Sequence, residues 1–123
     1  MQKRNSEMTD ATIDFGKMEG LVPGIVQDAK TGQVLMVGFL NEVSYQKTLE
    51  TGYVTFWSRT RQKLWMKGES SGNRLRVVEA ATDCDNDTLL FRVDVEGDGL
   101  VCHEGTVSCF TRPIALTSAQ EVR

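Results

Sequence analysis

The chain has 123 residues, 40% of them hydrophobic and 25% charged, with a formal net charge of -3. This suffices for one core without disulfide staples, while no run nears the roughly 20 apolar residues of a membrane helix and the N-terminus lacks the apolar block of a secretory signal. The negative charge disfavours general nucleic-acid binding, and an odd count of three cysteines without an export signal points to reduced thiols in a cytoplasmic protein.

Residues 1–10 are polar and aperiodic, the pattern of a loose terminus, and residues 11–123 read as a single domain. Leu21–Gln27 and Val34–Leu40, joined through Gly32, read as an antiparallel hairpin whose second strand is well buried. Asn41 is placed to cap a helix over Glu42–Thr51 that stops at Gly52, with Val43, Tyr45 or Gln46, and Leu49 sharing a face. Tyr53–Ser58 and Leu64–Lys67 read as a second hairpin about Arg59–Lys63, and Glu69–Asn73 as a loop. Leu75–Ala80 and Leu89–Val95 read as two strands flanking an aspartate cluster, and a turn at Gly97–Gly99 leads to the last cysteines. From Arg112-Pro113 onward there is little pattern. The expected fold is α+β, a strand-dominated single domain with one short helix near 42–51.

Charge is divided along the chain. Between Arg59 and Arg76 the basic residues Arg59, Arg61, Lys63, Lys67, Arg74 and Arg76 stand against Glu69 alone, whereas acids dominate from Asp83 to Glu104. A charge run is most often a solvated face. Here Arg59 and Arg61 are spaced to point alike, Trp65 offers a stacking surface, and Lys67 precedes the donors of Ser70, Ser71 and Gly72, a set suited to a phosphorylated nucleotide.

All the cysteines and the single histidine fall between Asp83 and Phe110. Cys84, Cys102 and Cys109 match no closely spaced zinc knuckle, and buried structural thiols are the plain alternative, but their polar neighbours are poor packing material. Three thiolates on zinc leave the fourth tetrahedral position open, the arrangement of catalytic rather than structural sites. Because three thiolates acidify a bound water less than three imidazoles do, such a centre needs a base, and His103 is the candidate; a surface histidine or a fourth zinc ligand are the alternatives. Asp83, Asp85 and Asp87 fail the EF-hand pattern, since Thr88 stands where glycine is required. In an extended strand they would point the same way and could converge on magnesium while Cys84 points oppositely, sorting the hard ion from the soft one.

Taken together, the motifs Val34-Leu35-Met36, Phe39-Leu40-Asn41, Ser58-Arg59-Thr60-Arg61, Leu64 to Gly72, Asp83 to Leu90, Cys102-His103 and Ser108-Cys109-Phe110 resemble the phosphoribosyl-AMP cyclohydrolase family of histidine biosynthesis. Thr60 stands where serine is expected, and no second domain follows Phe110, so the resemblance implies the monofunctional form. It further implies zinc on Cys84, Cys102 and Cys109, magnesium on Asp83, Asp85 and Asp87, and a homodimer in which both subunits supply zinc cysteines. The implied reaction is hydrolytic opening of the adenine ring of N1-(5-phosphoribosyl)-AMP at C6-N1, with His103 moving the proton and Arg59, Arg61 and Lys67 holding the phosphoribosyl arms. The rival from another class is a non-enzymatic zinc-stabilised or thiol-redox binding protein. A purine deaminase is disfavoured because its His-x-Glu and Pro-Cys-x-x-Cys pair is missing.

Overall fold

Six strands and one helix run through residues 12–117, the part of the chain that the computed structural model describes. In order they are β1 (Val22–Asp28), β2 (Val34–Leu40), α1 (Glu42–Thr51), β3 (Thr55–Ser58), β4 (Lys63–Met66), β5 (Leu75–Thr82) and β6 (Leu89–Val95). The loose terminus expected over 1–10 lies outside the described residues. The α+β, strand-dominated architecture with one helix is as expected.

Four strands form a mixed sheet in the order β2-β1-β6-β5, and β3 and β4 form a separate hairpin. Along β1 and β6 every second residue faces inward: Val22, Gly24 and Val26 on one strand, Leu89, Phe91 and Val93 on the other. This two-residue period is what allows one face of the sheet to be apolar. The β1–β6 pairing is parallel, with Gly24 opposite Leu89 and Asp28 opposite Val93. It joins segments some sixty residues apart in sequence, and nothing local in either strand announces it.

The expected hairpin of β1 and β2 is present, but β2, expected to be well buried, is an edge strand that buries Leu35, Met36 and Leu40 and leaves Val34 and Val37 exposed. In α1 the cap is as expected: Asn41 Oδ1 accepts from the Ser44 amide, Ser44 Oγ accepts from the Asn41 amide, and Gly52 takes the left-handed conformation at the C-terminus. Its expected apolar face is not the buried one. Ser44 and Thr48 are buried, while Val43 and Leu49 are 59% and 54% exposed. The physical reason is local: Thr48 Oγ1 donates to the Ser44 carbonyl and accepts from the Thr55 amide, so this one hydroxyl fastens the helix to β3.

The small hairpin is joined to the main sheet from two sides. Tyr53 bridges to Arg76 of β5, and the Val54 amide donates to the Leu75 carbonyl at 3.0 Å. Across the interior, Phe56 of β3 lies fully buried against Gly38 of β2, where an added Cβ would come within 2.5 Å of the ring. Gly38→Ala should therefore overpack this contact and lower stability by about 1–3 kcal/mol, read as a fall in the urea midpoint; an unchanged midpoint would show that the ring yields freely.

Candidate active site

Between β5 and β6 the chain must reverse, and it does so through Asp83–Thr88. The Asp83 amide donates to the Thr88 carbonyl at 3.0 Å, Asp83 Oδ1 accepts from the Asp87 and Thr88 amides, and Asn86 adopts a left-handed φ of 62°. The aspartates are therefore not on an extended strand, as alternation suggested, but wrapped on a turn. The turn nevertheless brings them together: one carboxylate oxygen from each of Asp83, Asp85 and Asp87 lies within 4.8 Å of the others. Oxygens at that spacing suit a small hard cation bound at about 2.1 Å.

Sequence reasoning missed a fourth participant. The Lys17 ammonium lies 3.2 Å from both Asp85 and Asp87, and the Asp14 amide donates to the Asn86 carbonyl at 2.7 Å, so the segment before β1 lies along the acidic turn. Lys17 holds the Asp85 carboxyl below its usual range, whereas the neighbouring Asp85 pushes Asp87 upward. The signal for Lys17 was weak, a single lysine in an irregular segment, and only the tertiary contact reveals it.

The two later cysteines converge. The Cys102 amide donates to the Thr106 carbonyl and the Gly105 amide to the Cys102 carbonyl, closing a tight loop. Ser108 is buried, and its hydroxyl donates to the Val34 carbonyl at 2.8 Å, while the Cys109 amide donates to the Leu35 carbonyl. The end of this loop is thus fixed to β2, and the thiols of Cys102 and Cys109 lie near enough to influence each other's titration. The Glu104 amide, Thr106 and Cys109 draw the Cys102 thiol below its ordinary range; partial desolvation and then Cys102 push Cys109 up. Two neighbouring thiols of this kind offer two thiolates to one zinc, whose sulfur ligands sit roughly 3.8 Å apart for 2.3 Å bonds. Cys84 does not complete the set within one chain: among the described residues the only triad of possible ligands is the aspartate one.

A cleft of about 870 Å³ opens beside this loop. Cys102 and His103 line it from the later segment of the chain, and Arg61, Trp65, Lys67, Ser70 and Ser71 from the earlier one. Trp65 stands with its ring 5.5 Å from Phe56 and the Lys67 ammonium 5.6 Å from its own centroid. Arg59 and Arg61 do not point alike, because both sit in the turn after β3; Arg61 lines the cleft while the Arg59 guanidinium stacks 4.4 Å over Phe39. Gly72 is also outside the lining, its amide donating to the Gly68 carbonyl. Arg74 and Arg76 of the basic run are paired with Glu96 and Asp94 at 3.2 and 2.6 Å.

Residues 36–111 match the sequence model of a family described as phosphoribosyl-AMP cyclohydrolase. The chain belongs to this family. It is 57% identical over 100 residues to a phosphoribosyl-AMP cyclohydrolase of Solibacter usitatus, covering 81% of this chain and 79% of that one. A phosphoribosyl-AMP cyclohydrolase of Listeria innocua is likewise 57% identical, over 80% of this chain and 90% of its own. The histidine biosynthesis bifunctional protein HisIE of Escherichia coli is 53% identical, and the alignment covers 85% of this chain but 51% of that longer protein.

For this cyclohydrolase-family enzyme, the thiol pair offers a direct check of the site's electrostatics. With chelator present, iodoacetamide near neutral pH should modify Cys102 faster than Cys109, because the lowered thiol carries the larger thiolate fraction. Mass-spectrometric mapping of the adducts over time measures this, and faster labelling of Cys109 would contradict it.

Proposed function

We propose that the chain catalyses the hydrolytic opening of the adenine ring of N1-(5-phosphoribosyl)-AMP, at the C6-N1 bond, as a cytoplasmic step of histidine biosynthesis. The observation that carries this reading is one cleft whose lining combines the Cys102 thiol and the His103 imidazole with cationic and hydroxyl donors, Arg61, Lys67, Ser70 and Ser71. Its volume lies within the range of small-molecule sites. Membership of a cyclohydrolase family supports the same chemistry.

In this reading Arg61, Lys67 and the serines bind the phosphoribosyl arms, and the exposed face of Trp65 stacks on the base. Cys84, Cys102 and Cys109 would hold zinc, which when bound would supply an activated water at neutral pH. His103 takes a proton from water as its oxygen joins C6, and returns one to N1 as the C6-N1 bond breaks. The ring carbon thereby becomes a carboxamide, and N1 leaves within a formimino link to the second ribose phosphate.

The zinc set needs a second copy of the chain. β5 begins at Leu75, beside the cleft, and ends at Thr82, roughly 23 Å of strand away, and Cys84 lies beyond that far end. A homodimer that sets one subunit's Asp83–Asp87 turn against the other's Cys102–Cys109 loop brings the three thiols together. Apolar side chains left exposed on β2, α1 and the final loop, among them Val37, Val43, Leu49 and Phe110, give such a dimer surface to bury. The aspartate triad fits magnesium, which would meet the Lys17 ammonium as a competing cation.

The test is ultraviolet monitoring of the purified chain with phosphoribosyl-AMP. Loss of the purine chromophore is expected with zinc, and its abolition by chelator with recovery on adding zinc back. An unchanged spectrum with zinc-loaded protein would sink the assignment.

A further inference from the structure

The cleft walls belong to segments that are far apart in sequence, and one side chain spans them. β5 and β6 are antiparallel, with Leu75 opposite Val95, so the segment entering β5 and the segment leaving β6 emerge from the same end of the ladder. The first carries Lys67, Ser70 and Ser71, and the second leads to Cys102 and His103. Just past the last ladder pair stands Asn73. Its Oδ1 accepts from the Asp98 amide at 2.7 Å, and its Nδ2 donates to the Leu100 carbonyl at 3.0 Å, two residues before Cys102.

The fit around this carboxamide is close on both sides. At Gly97, whose φ is 70°, an added Cβ would lie 2.1 Å from Asn73 Oδ1 and 2.8 Å from the Gly72 carbonyl oxygen. At Gly68, with φ 83°, one would lie 2.1 Å from the Asn73 carbonyl oxygen. The walls therefore meet at a junction with no spare room, and the Asn73 side chain satisfies one donor and one acceptor across it.

We propose that Asn73 is a positioning residue: it sets the spacing between the loop that holds the phosphoribosyl arm and the segment that carries His103 and Cys102. This role rests on the ring-opening reading above. Asn73 itself lines the cleft, but its carboxamide oxygen and nitrogen are bonded to Asp98 and Leu100; without it each wall keeps its own binding groups, and the reacting carbon then meets the imidazole side at the wrong distance. Misplacement by about 1 Å is enough to cost a hundredfold in rate.

Asn73→Ala in the full chain should lower kcat about a hundredfold while KM changes by less than about threefold, with zinc content and dimer mass unchanged. Asn73→Gln keeps both hydrogen-bonding groups on a stem one methylene longer, and serves if the alanine variant does not fold. It too should lower kcat, because spacing rather than bonding is altered. Hydrogen exchange should quicken in both 68–73 and 97–101 in the alanine variant. A folded variant of either kind with kcat within twofold of the parent, or unchanged exchange in both segments, would overturn the proposal. If the unaltered chain opens no ring, the reaction falls and the positioning role with it, while exchange still reports the junction independently.

Discussion

The antiparallel ladder of β5 and β6 is the constraint on which the rest of the site depends. Its register places Thr82 opposite Leu89 at one end and Leu75 opposite Val95 at the other. A reversal is compulsory at the first end, and the acidic turn with Cys84 forms there. At the second end two unconnected segments emerge together, one basic and hydroxyl-rich, the other bearing Cys102 and His103. Hard ligands and the cleft are thus held at opposite ends of one rigid pair of strands, and no side-chain rearrangement within a chain closes that gap.

The same ladder sorts the charges. Arg76 pairs with Asp94, Arg74 with Glu96, and Arg92 with Glu79, all across β5 and β6 or at their ends. Tyr53 donates to Glu96 at 2.7 Å and carries the Arg74 guanidinium 4.3 Å over its ring, adding a layer where the small hairpin joins. Exposed pairs of this kind are worth about 0–1 kcal/mol each, too little to hold the fold. Their consequence is electrostatic. They neutralise Arg74 and Arg76 of the basic run and Asp94 and Glu96 of the acidic one, and leave Arg61, Lys63 and Lys67 as the cations that line the cleft. The aspartate turn, in turn, is countered by Lys17 rather than by any of the arginines.

Local signals in the sequence carried the local structure. Asn41 and Gly52 bound the helix because capping is decided within a few residues, and alternation in Leu89–Val95 identified β6 because a half-buried strand needs that period. The failures were tertiary. Val43 and Leu49 pattern as a buried face, yet the Thr48 hydroxyl, bonded to Thr55 of β3, decided the helix's orientation. Arg59 and Arg61 separated because a turn breaks the two-residue period, and the aspartates converged through a turn instead of along a strand. Lys17 and Asn73 were invisible because their partners lie about seventy and about twenty-five residues away in sequence. The chemistry of the site was more legible than its geometry, since thiol, imidazole and carboxylate declare their ligand preferences by type alone.

A thiol set divided between the Asp83–Asp87 turn and the Cys102–Cys109 loop makes a specific demand on a dimer. Cys84→Ala and Cys109→Ala chains should each be inactive alone. If zinc is shared between subunits, a heterodimer of the two retains one intact site, and random exchange of equal amounts should restore about a quarter of the parent activity. That measurement, made after unfolding and refolding the mixture, tests the account most directly. Recovery near a quarter is the predicted result, and a mixture as inactive as its components, with heterodimers shown to be present, would contradict it.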